Sequence, residues 1–274
     1  MIFGNALAAE PPYDMVMPAL GQSWFFVAMC VPVVVALFFA LRYWRSSGSP
    51  IGLLFLLGGA WTYFNEPIVD TLGKCWHPAF GIWTYAVIFG IHLPMFGMPV
   101  YMWYMGGQAF LAYRLYEKGI SMRGLFLVYL LFMLTDCAFE IPALNLGLYV
   151  YYGDTQPLVF MNFPLWWPFV NSLMPMMMAA VVFRLDSLLL GPRRLLVIPL
   201  MWMLGAATNG LVGAPVWVAI HADVGIATTH LAALITICCG LMVCYAIGLL
   251  VAENAPLVHG RNDKTIGRGH LRRE

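Results

Sequence analysis

Long apolar runs fill nearly the whole chain, and they restrict its possible folds more than any other feature. Of the 274 residues, 62% are hydrophobic and only 10% are charged. Soluble domains carry about 25% charged residues. A transmembrane helix needs about 20 apolar residues to cross about 30 Å of hydrocarbon. The composition therefore predicts an all-α integral membrane protein, a bundle of helices that lies in the bilayer.

Seven segments reach this length when a few polar residues are accepted within them. We place the spans at 23–43, 51–72, 80–105, 124–147, 162–183, 195–219 and 225–251. Residues 1–22 then form an extracytoplasmic N-terminal segment, and 252–274 form a basic cytoplasmic tail after the seven-helix domain of residues 23–251. The N-terminus lacks a basic region followed by an apolar region, so we predict no cleaved signal peptide.

The basic residues predict the orientation of the bundle. With the N-terminus outside, all of the 14 Lys and Arg residues except Lys74 fall in the cytoplasmic loops and the tail. The positive-inside rule therefore predicts an external N-terminus and a cytoplasmic C-terminus, in a multi-pass protein of the plasma membrane. Because the positive charge is spread over several loops and not gathered on one face, we expect no nucleic-acid partner.

Four carboxyl groups lie at positions where a lipid-facing helix would not tolerate them. An ionisable group inside a span costs at least about 2.5 kcal/mol on insertion scales, so each one is a functional hypothesis. Glu66 and Asp70 fall towards the outer end of the second span. Asp136 and Glu140 are four residues apart in the fourth span and therefore share a helix face. We predict that these four residues are catalytic and lie in a polar cup in the outer half of the bundle.

Other polar and aromatic residues are expected at similar depth. The predicted substrate-binding residues are Trp61, Tyr63, His92, Phe139, Asn145, Trp167, Asn171, Asn209 and His230. His77 is interpreted as a solvated loop residue. The simpler alternative is that the buried carboxyl groups only form hydrogen bonds with neighbouring Asn or Tyr side chains and stabilise the bundle.

Such a cup favours acid–base chemistry. A carboxyl group in a low-dielectric site can remain protonated near neutral pH and donate its proton. Aromatic rings then stabilise the cationic intermediate, and a nearby carboxylate removes the last proton. The chain lacks GxxxxGK[ST], GxSxG, HExxH, CxxC and Asp-rich diphosphate motifs. Elimination therefore leaves a mechanism without a metal ion or a cofactor.

Three strings of the sequence resemble a known family. These are WTYFNEPIVDTLGKCW, FEIPALNLGLYVYYGDTQPL and FPLWWPFVNSLMPM, and the likeness covers the chain from about Trp61 to Phe183. They resemble the AveC-like spirocyclases, a family of actinobacterial multi-pass membrane proteins. The family's namesake closes a spiroketal in polyketide biosynthesis, and some forms also dehydrate it. The resemblance therefore implies closure of a dihydroxyketone-like chain with loss of water, on an apolar polyketide- or lipid-like substrate.

The resemblance carries over no catalytic residue, so the roles are inferred from depth and chemistry. We expect Glu140 or Asp136 to be the general acid, and Glu66 to be the base that deprotonates the attacking hydroxyl. A seven-helix terpene cyclase that protonates a prenyl substrate stays open as an alternative. So does a small-molecule binder or proton-coupled carrier, in which Asp136, Glu140 and His92 would form a proton relay. The sequence leaves the oligomeric state open.

Overall fold

The computed structural model describes residues 10–222 and 224–252. It is mostly helical, and five of its helices are long and apolar enough to cross a membrane. These helices are Ala19–Ser47, Met122–Asn145, Trp167–Leu185, Gly191–His221 and Ile226–Val251. The prediction of a helical membrane protein is therefore confirmed. Residues 1–9 of the predicted N-terminal segment and 253–274 of the predicted tail lie outside the described residues.

The elements follow one another along the chain as short strands between helical stretches. In order they are α1 (Ala19–Ser47), α2 (Ile51–Thr62), a 3₁₀ turn (Tyr63–Asn65), α3 (Glu66–Gly73), β1 (Cys75–Trp76), β2 (Thr84–Ile88), β3 (Ile91–Pro94), α4 (Gly97–Tyr101), a π-helical turn (Met102–Gly107), α5 (Gln108–Glu117), α6 (Met122–Asn145), β4 (Val150–Tyr151), β5 (Val159–Phe160), β6 (Phe163–Pro164), α7 (Trp167–Asn171), α8 (Leu173–Leu185), a second 3₁₀ turn (Gly191–Leu196), α9 (Val197–His221) and α10 (Ile226–Val251).

The predicted third span, 80–105, is wrong in its boundaries. Strands β2 and β3 form an antiparallel hairpin there, and the helical stretch runs from Gly97 to Glu117. The turn residues Phe89 and Gly90 have φ angles of +55° and +76°, which is the geometry of a tight hairpin turn. An apolar run does not distinguish a strand from a helix by hydropathy alone, so the prediction merged the hairpin with the helix that follows it.

Helix ends that carry the basic residues meet on one side of the bundle, which we call the basic side. The Tyr43 hydroxyl, near the end of α1, donates to Oε1 of Glu117 at the end of α5 over 3.2 Å. The Tyr113 hydroxyl of α5 donates to Oδ1 of Asp186, just after α8, over 3.1 Å. The C-terminal ends of α1, α5 and α8 therefore lie together.

The opposite side is covered by the segments 74–96 and 146–166, which we call the cap. Strands β1 and β4 pair there in antiparallel register, with Cys75 opposite Tyr151. The Gln156 side-chain amide donates to the Gly73 carbonyl over 2.8 Å at the end of α3. The cap is thus two chain-distant segments that are joined above the ends of α3 and α6.

Candidate active site

A cavity lies between α3, α4, α6 and the cap, and it contains most of the buried ionisable groups. Its wall holds four carboxyl groups, five tyrosines, a thiol, an imidazole and an amide. These residues are Glu66, Asp70, Asp136, Glu140, Tyr63, Tyr101, Tyr104, Tyr149, Tyr151, Cys75, His77 and Asn171. The structure therefore brings the four predicted carboxyl groups together, although they come from two helices far apart in sequence.

The cavity is small. The centres of water-sized molecules can occupy about 60 Å³ of it, which is room for about four water molecules. Pockets for drug-sized ligands are about 300–1,000 Å³. A bulky substrate can therefore enter only if side chains around the cavity move apart.

Helix α3 presents the first two carboxyl groups. Glu66 is its first residue and Asp70 follows one turn later, so both side chains point to the same face. The Tyr101 hydroxyl of α4 donates a hydrogen bond to Oε2 of Glu66. Asp70 is only 3% exposed, and its Oδ2 has no hydrogen-bond partner among the described residues. The two carboxyl groups on α3 thus have different environments.

Helix α6 presents the other two. Asp136 is completely buried, and the Asn171 side-chain amide lies 3.3 and 3.4 Å from its two carboxyl oxygens. Glu140, one turn further along, accepts a hydrogen bond from the Tyr149 hydroxyl over 2.7 Å. Each carboxyl group of α6 therefore has a neutral donor from a different part of the chain. Such hydrogen bonds are also expected if the buried carboxyl groups only stabilise the bundle.

The cap adds two functional groups that the sequence interpretation missed. His77 was expected to be a solvated loop residue, and this is wrong, because it is only 4% exposed. Its Nε2 lies 3.5 Å from Oδ2 of Asp70. Cys75 is buried beside it. The sequence does hold one signal for these groups, because Asp70, Cys75 and His77 fall within eight residues. Their burial depends on the β1–β4 pairing, which hydropathy does not reveal.

Burial keeps the cap groups uncharged near neutral pH. It lowers the pKa of His77 to about 3 and raises the pKa of the Cys75 thiol well above its ordinary value. The phenols of Tyr149 and Tyr151 also have raised pKa values, first because they are buried and second because of the nearby Glu140 charge. The cap therefore offers neutral hydrogen-bonding groups to the carboxyl groups of the helices.

Aromatic rings form much of the remaining wall. The predicted binding residues Tyr63, Phe139 and Trp167 all line the cavity, and Asn171 does so too. Trp167 stacks on Trp166 with ring centroids 4.1 Å apart, so its position is fixed by packing. Aromatic faces attract cations, so this wall can stabilise positive charge that develops on a bound molecule.

Five residues that we predicted in the substrate-binding cup do not line the cavity. They are Trp61, His92, Asn145, Asn209 and His230. Trp61 is 52% exposed and points away from the bundle, whereas Tyr63 points inwards. Side chains two positions apart on a helix point in directions about 200° apart around its axis. Two residues at similar depth can therefore face opposite sides of the helix.

The other four side chains also lie outside the cavity. His92 lies in the β2–β3 hairpin, with Nδ1 3.4 Å from the Thr84 hydroxyl, and therefore does not continue a relay from Asp136 and Glu140. Asn145 is exposed at the end of α6. Asn209 is buried in α9 away from the cavity. Nδ1 of His230 lies 2.8 Å from the Ile226 carbonyl of its own helix.

A larger groove lies between α1 and α5 on the basic side. The groove has a volume of about 800 Å³ for the centres of water-sized molecules, compared with about 60 Å³ for the cavity, and it is more open to the surface. Its walls are mostly apolar, with Arg42, Arg114 and Lys118 among them. Among the described residues that line it there is no carboxyl group and no imidazole. Size alone would favour the groove, but the chemical groups favour the smaller cavity as the candidate site.

The buried carboxyl groups and their hydrogen-bond donors are suited to moving protons within this small cavity.

Comparison of the chain with models of known protein families, with curated proteins and with solved structures found no match. The functional interpretation therefore depends on the geometry of the cavity and on the sequence.

Proposed function

We propose that this chain is a membrane-embedded cyclase that closes rings in an apolar substrate by acid–base catalysis, as a spirocyclase or dehydratase does. The observation that carries the proposal is the set of carboxyl groups around one buried cavity. Glu66, Asp136 and Glu140 each have a different hydrogen-bond donor, namely Tyr101, Asn171 and Tyr149. Titratable groups in different environments are what an acid and base pair requires.

The proposal includes the topology. We infer that all seven helical stretches span the membrane, with the N-terminus outside and the C-terminus in the cytoplasm. The stretches Ile51–Gly73 and Gly97–Glu117 would be the two spans beyond the five long helices. Basic residues at the helix ends on the basic side support this orientation through the positive-inside rule. The cap then faces the exterior, and the substrate reaches the cavity from the outer leaflet or from outside.

The proposed roles are those that depth and chemistry suggest from the sequence. We assign the general acid to Glu140 or Asp136, and the general base to Glu66, which lies across the cavity on α3. The acid donates a proton to the carbonyl oxygen of a dihydroxyketone-like chain. The base removes the proton of the attacking hydroxyl as the carbon–oxygen bond forms. The proton now held by the base is passed to the hemiketal hydroxyl, which leaves as water. The second hydroxyl then closes the other ring and gives its proton to the carboxylate of the acid, so both groups return to their starting state.

Two further features support a cationic intermediate. Loss of water leaves an oxocarbenium ion, and the aromatic residues Tyr63, Phe139 and Trp167, which can stabilise a cation, line the cavity. The cavity also has room for only about four water molecules, which limits hydrolysis of a reactive intermediate. Because it is small, substrate binding must widen it, and binding energy from the apolar parts of the substrate would drive this change.

Product analysis tests the reaction class. The full chain in lipid nanodiscs is incubated separately with a dihydroxyketone and with a prenyl epoxide or alkene. We expect a spiroketal and one equivalent of water from the first substrate and no cyclised product from the second. Cyclisation of the prenyl substrate alone would instead support the terpene cyclase alternative. Binding of either compound without any product would contradict an enzymatic function.

A further inference from the structure

Three side chains of metal-binding type converge where α3 meets the cap. They are Asp70 in the last turn of α3, and Cys75 and His77 in and just after β1. One ligand atom from each lies within 4.8 Å of the other two. All three residues are buried and all three line the cavity. This is a compact group of one oxygen, one sulfur and one nitrogen donor.

Three polar atoms of this group lack a hydrogen bond in the described part of the chain. Oδ2 of Asp70 and both ring nitrogens of His77 are buried without a hydrogen bond. A buried polar group without a partner is unfavourable, and such groups are rare in folded proteins. The ligand atoms of the three side chains therefore converge, and the main polar contact within the group is the 3.5 Å approach of His77 Nε2 to Asp70 Oδ2.

We propose that Asp70, Cys75 and His77 bind a divalent transition metal ion, with zinc as the best match. Zinc accepts thiolate sulfur, imidazole nitrogen and carboxylate oxygen in one tetrahedral site. Hard cations such as Mg²⁺ and Ca²⁺ prefer a shell of oxygen ligands and do not match the thiol. The inference departs from the expectation, drawn from the sequence, that the chain uses no metal.

The distances are close to those of a tetrahedral site. Two ligands at about 2.1 Å from zinc are separated by about 3.4 Å along the edge of a tetrahedron. Nε2 of His77 and Oδ2 of Asp70 are 3.5 Å apart. The Cys75 sulfur lies within 4.8 Å of the other two ligand atoms. With zinc–sulfur and zinc–nitrogen distances of about 2.3 and 2.1 Å, a tetrahedral site separates these atoms by about 3.6 Å, so the sulfur needs to approach by at most about 1.2 Å.

The surroundings hold the ligands in place. The β1–β4 register fixes Cys75 opposite Tyr151. The His77 ring packs between aromatic rings, with centroids 5.1 Å from Tyr149 and 6.4 Å from Phe96. Two negative ligands, the thiolate and the carboxylate, would balance the charge of a divalent ion in this low-dielectric site. Ion binding would thus leave the site neutral.

Three protein ligands leave one position of a tetrahedral ion open, which is the pattern of catalytic zinc sites. Since all three ligands line the cavity, this position faces the space in which Glu66 and Glu140 lie. A metal ion there can polarise a carbonyl oxygen or lower the pKa of a bound water molecule. The site itself depends only on ligand geometry and not on the ring-closing reaction proposed above.

Metal content tests the site directly. The full chain is purified in detergent, loaded with Zn²⁺, freed of loosely bound metal with a weak chelator and analysed by mass spectrometry. We expect about one zinc per chain in the wild type and little in Cys75→Ser, His77→Gln and Asp70→Asn. Cys30→Ser in α1 and His92→Gln in the hairpin are matched controls and should retain it. The inference is overturned if the wild type binds no stoichiometric zinc or if all three ligand variants retain it.

Two readouts on the wild-type chain keep the test informative if a variant does not fold. Cobalt loading should produce a thiolate-to-metal charge-transfer band in the near ultraviolet. Zinc should also slow alkylation of Cys75, mapped by peptide mass spectrometry, without slowing alkylation of Cys30. Absence of the band together with unchanged labelling of Cys75 would contradict the site. Neither readout uses activity, so failure here is distinct from failure of the proposed function.

Discussion

The Tyr149 hydroxyl donates a hydrogen bond to Oε2 of Glu140 over 2.7 Å, and this bond joins the cap to the carboxyl groups of α6. Tyr149 comes just before β4, whose partner β1 carries Cys75. This side-chain contact and the β1–β4 pairing therefore connect both segments of the cap with α6. The cap is part of the site as well as its cover.

Replacement of Tyr149 by Phe should destabilise the protein. The change leaves the buried Glu140 carboxyl without its donor, and loss of one partner of a buried hydrogen bond costs about 1–3 kcal/mol. Thermal unfolding in detergent, followed by tryptophan fluorescence, measures the effect. Tyr152→Phe is the matched control, because Tyr152 is a half-buried tyrosine of the same segment. Equal stability of the two variants would contradict the importance of this bond.

The contact between Asn171 and Asp136 should appear as an energetic coupling. Asp136→Ala and Asn171→Ala remove the two sides of one interaction, so their effects on unfolding should not add. Residues in direct contact couple by about 0.5–3 kcal/mol. A double-mutant cycle measures this value. Asn171→Ala combined with Glu117→Gln, on the basic side, is the control and should be additive. Additivity of the first pair would show that the 3.3 Å contact carries no energy.

Gly73 should tolerate no side chain. A β-carbon there would overlap the Trp167 ring, which itself lines the cavity. Gly73→Ala should therefore lower stability by about 1–3 kcal/mol, as overpacking of a core does. Gly210→Ala is the control, since nothing lies within 4 Å of a β-carbon at that position of α9. That substitution should be neutral or stabilising, because Ala favours a helix over Gly by about 1 kcal/mol.

Tyr63 and Trp61 should respond differently to substitution, although only two positions separate them. The Tyr63 hydroxyl donates to the Pro94 carbonyl over 2.7 Å and is buried, so Tyr63→Phe should lower stability by about 1 kcal/mol. Trp61→Leu removes an exposed side chain and should change the free energy of unfolding by less than about 0.5 kcal/mol. Thermal unfolding measures both effects, and the reverse order would contradict the burial of Tyr63 and the exposure of Trp61.

These two residues also show what the sequence could and could not predict. Hydropathy and charge place a residue along the membrane normal, and for this reason Glu66, Asp70, Asp136 and Glu140 were correctly grouped. Depth contains no information about rotation around a helix axis. For this reason Trp61 is predicted at the depth of the cavity but does not line it.

Long-range pairing was the other missing information. The β2–β3 hairpin was merged into a predicted helix because both are apolar, and His77 was interpreted as a loop residue because loops are usually solvated. The burial of His77 depends on the pairing of β1 with β4, about 75 residues away in sequence. Such a contact depends on the tertiary fold and not on any local pattern.

The central claim is that carboxyl groups on α3 and α6 act as base and acid in one cavity, and the rates of Glu66→Gln and Glu140→Gln test it most directly. Both variants keep the size of the side chain and its capacity for hydrogen bonding. With the dihydroxyketone substrate in nanodiscs, each variant should lose at least about 100-fold in the rate of ring closure, the lower range for general acid–base catalysis. Glu117→Gln, on the basic side, should keep the wild-type rate. Folded Glu66→Gln and Glu140→Gln variants that close the ring at the wild-type rate would contradict the account.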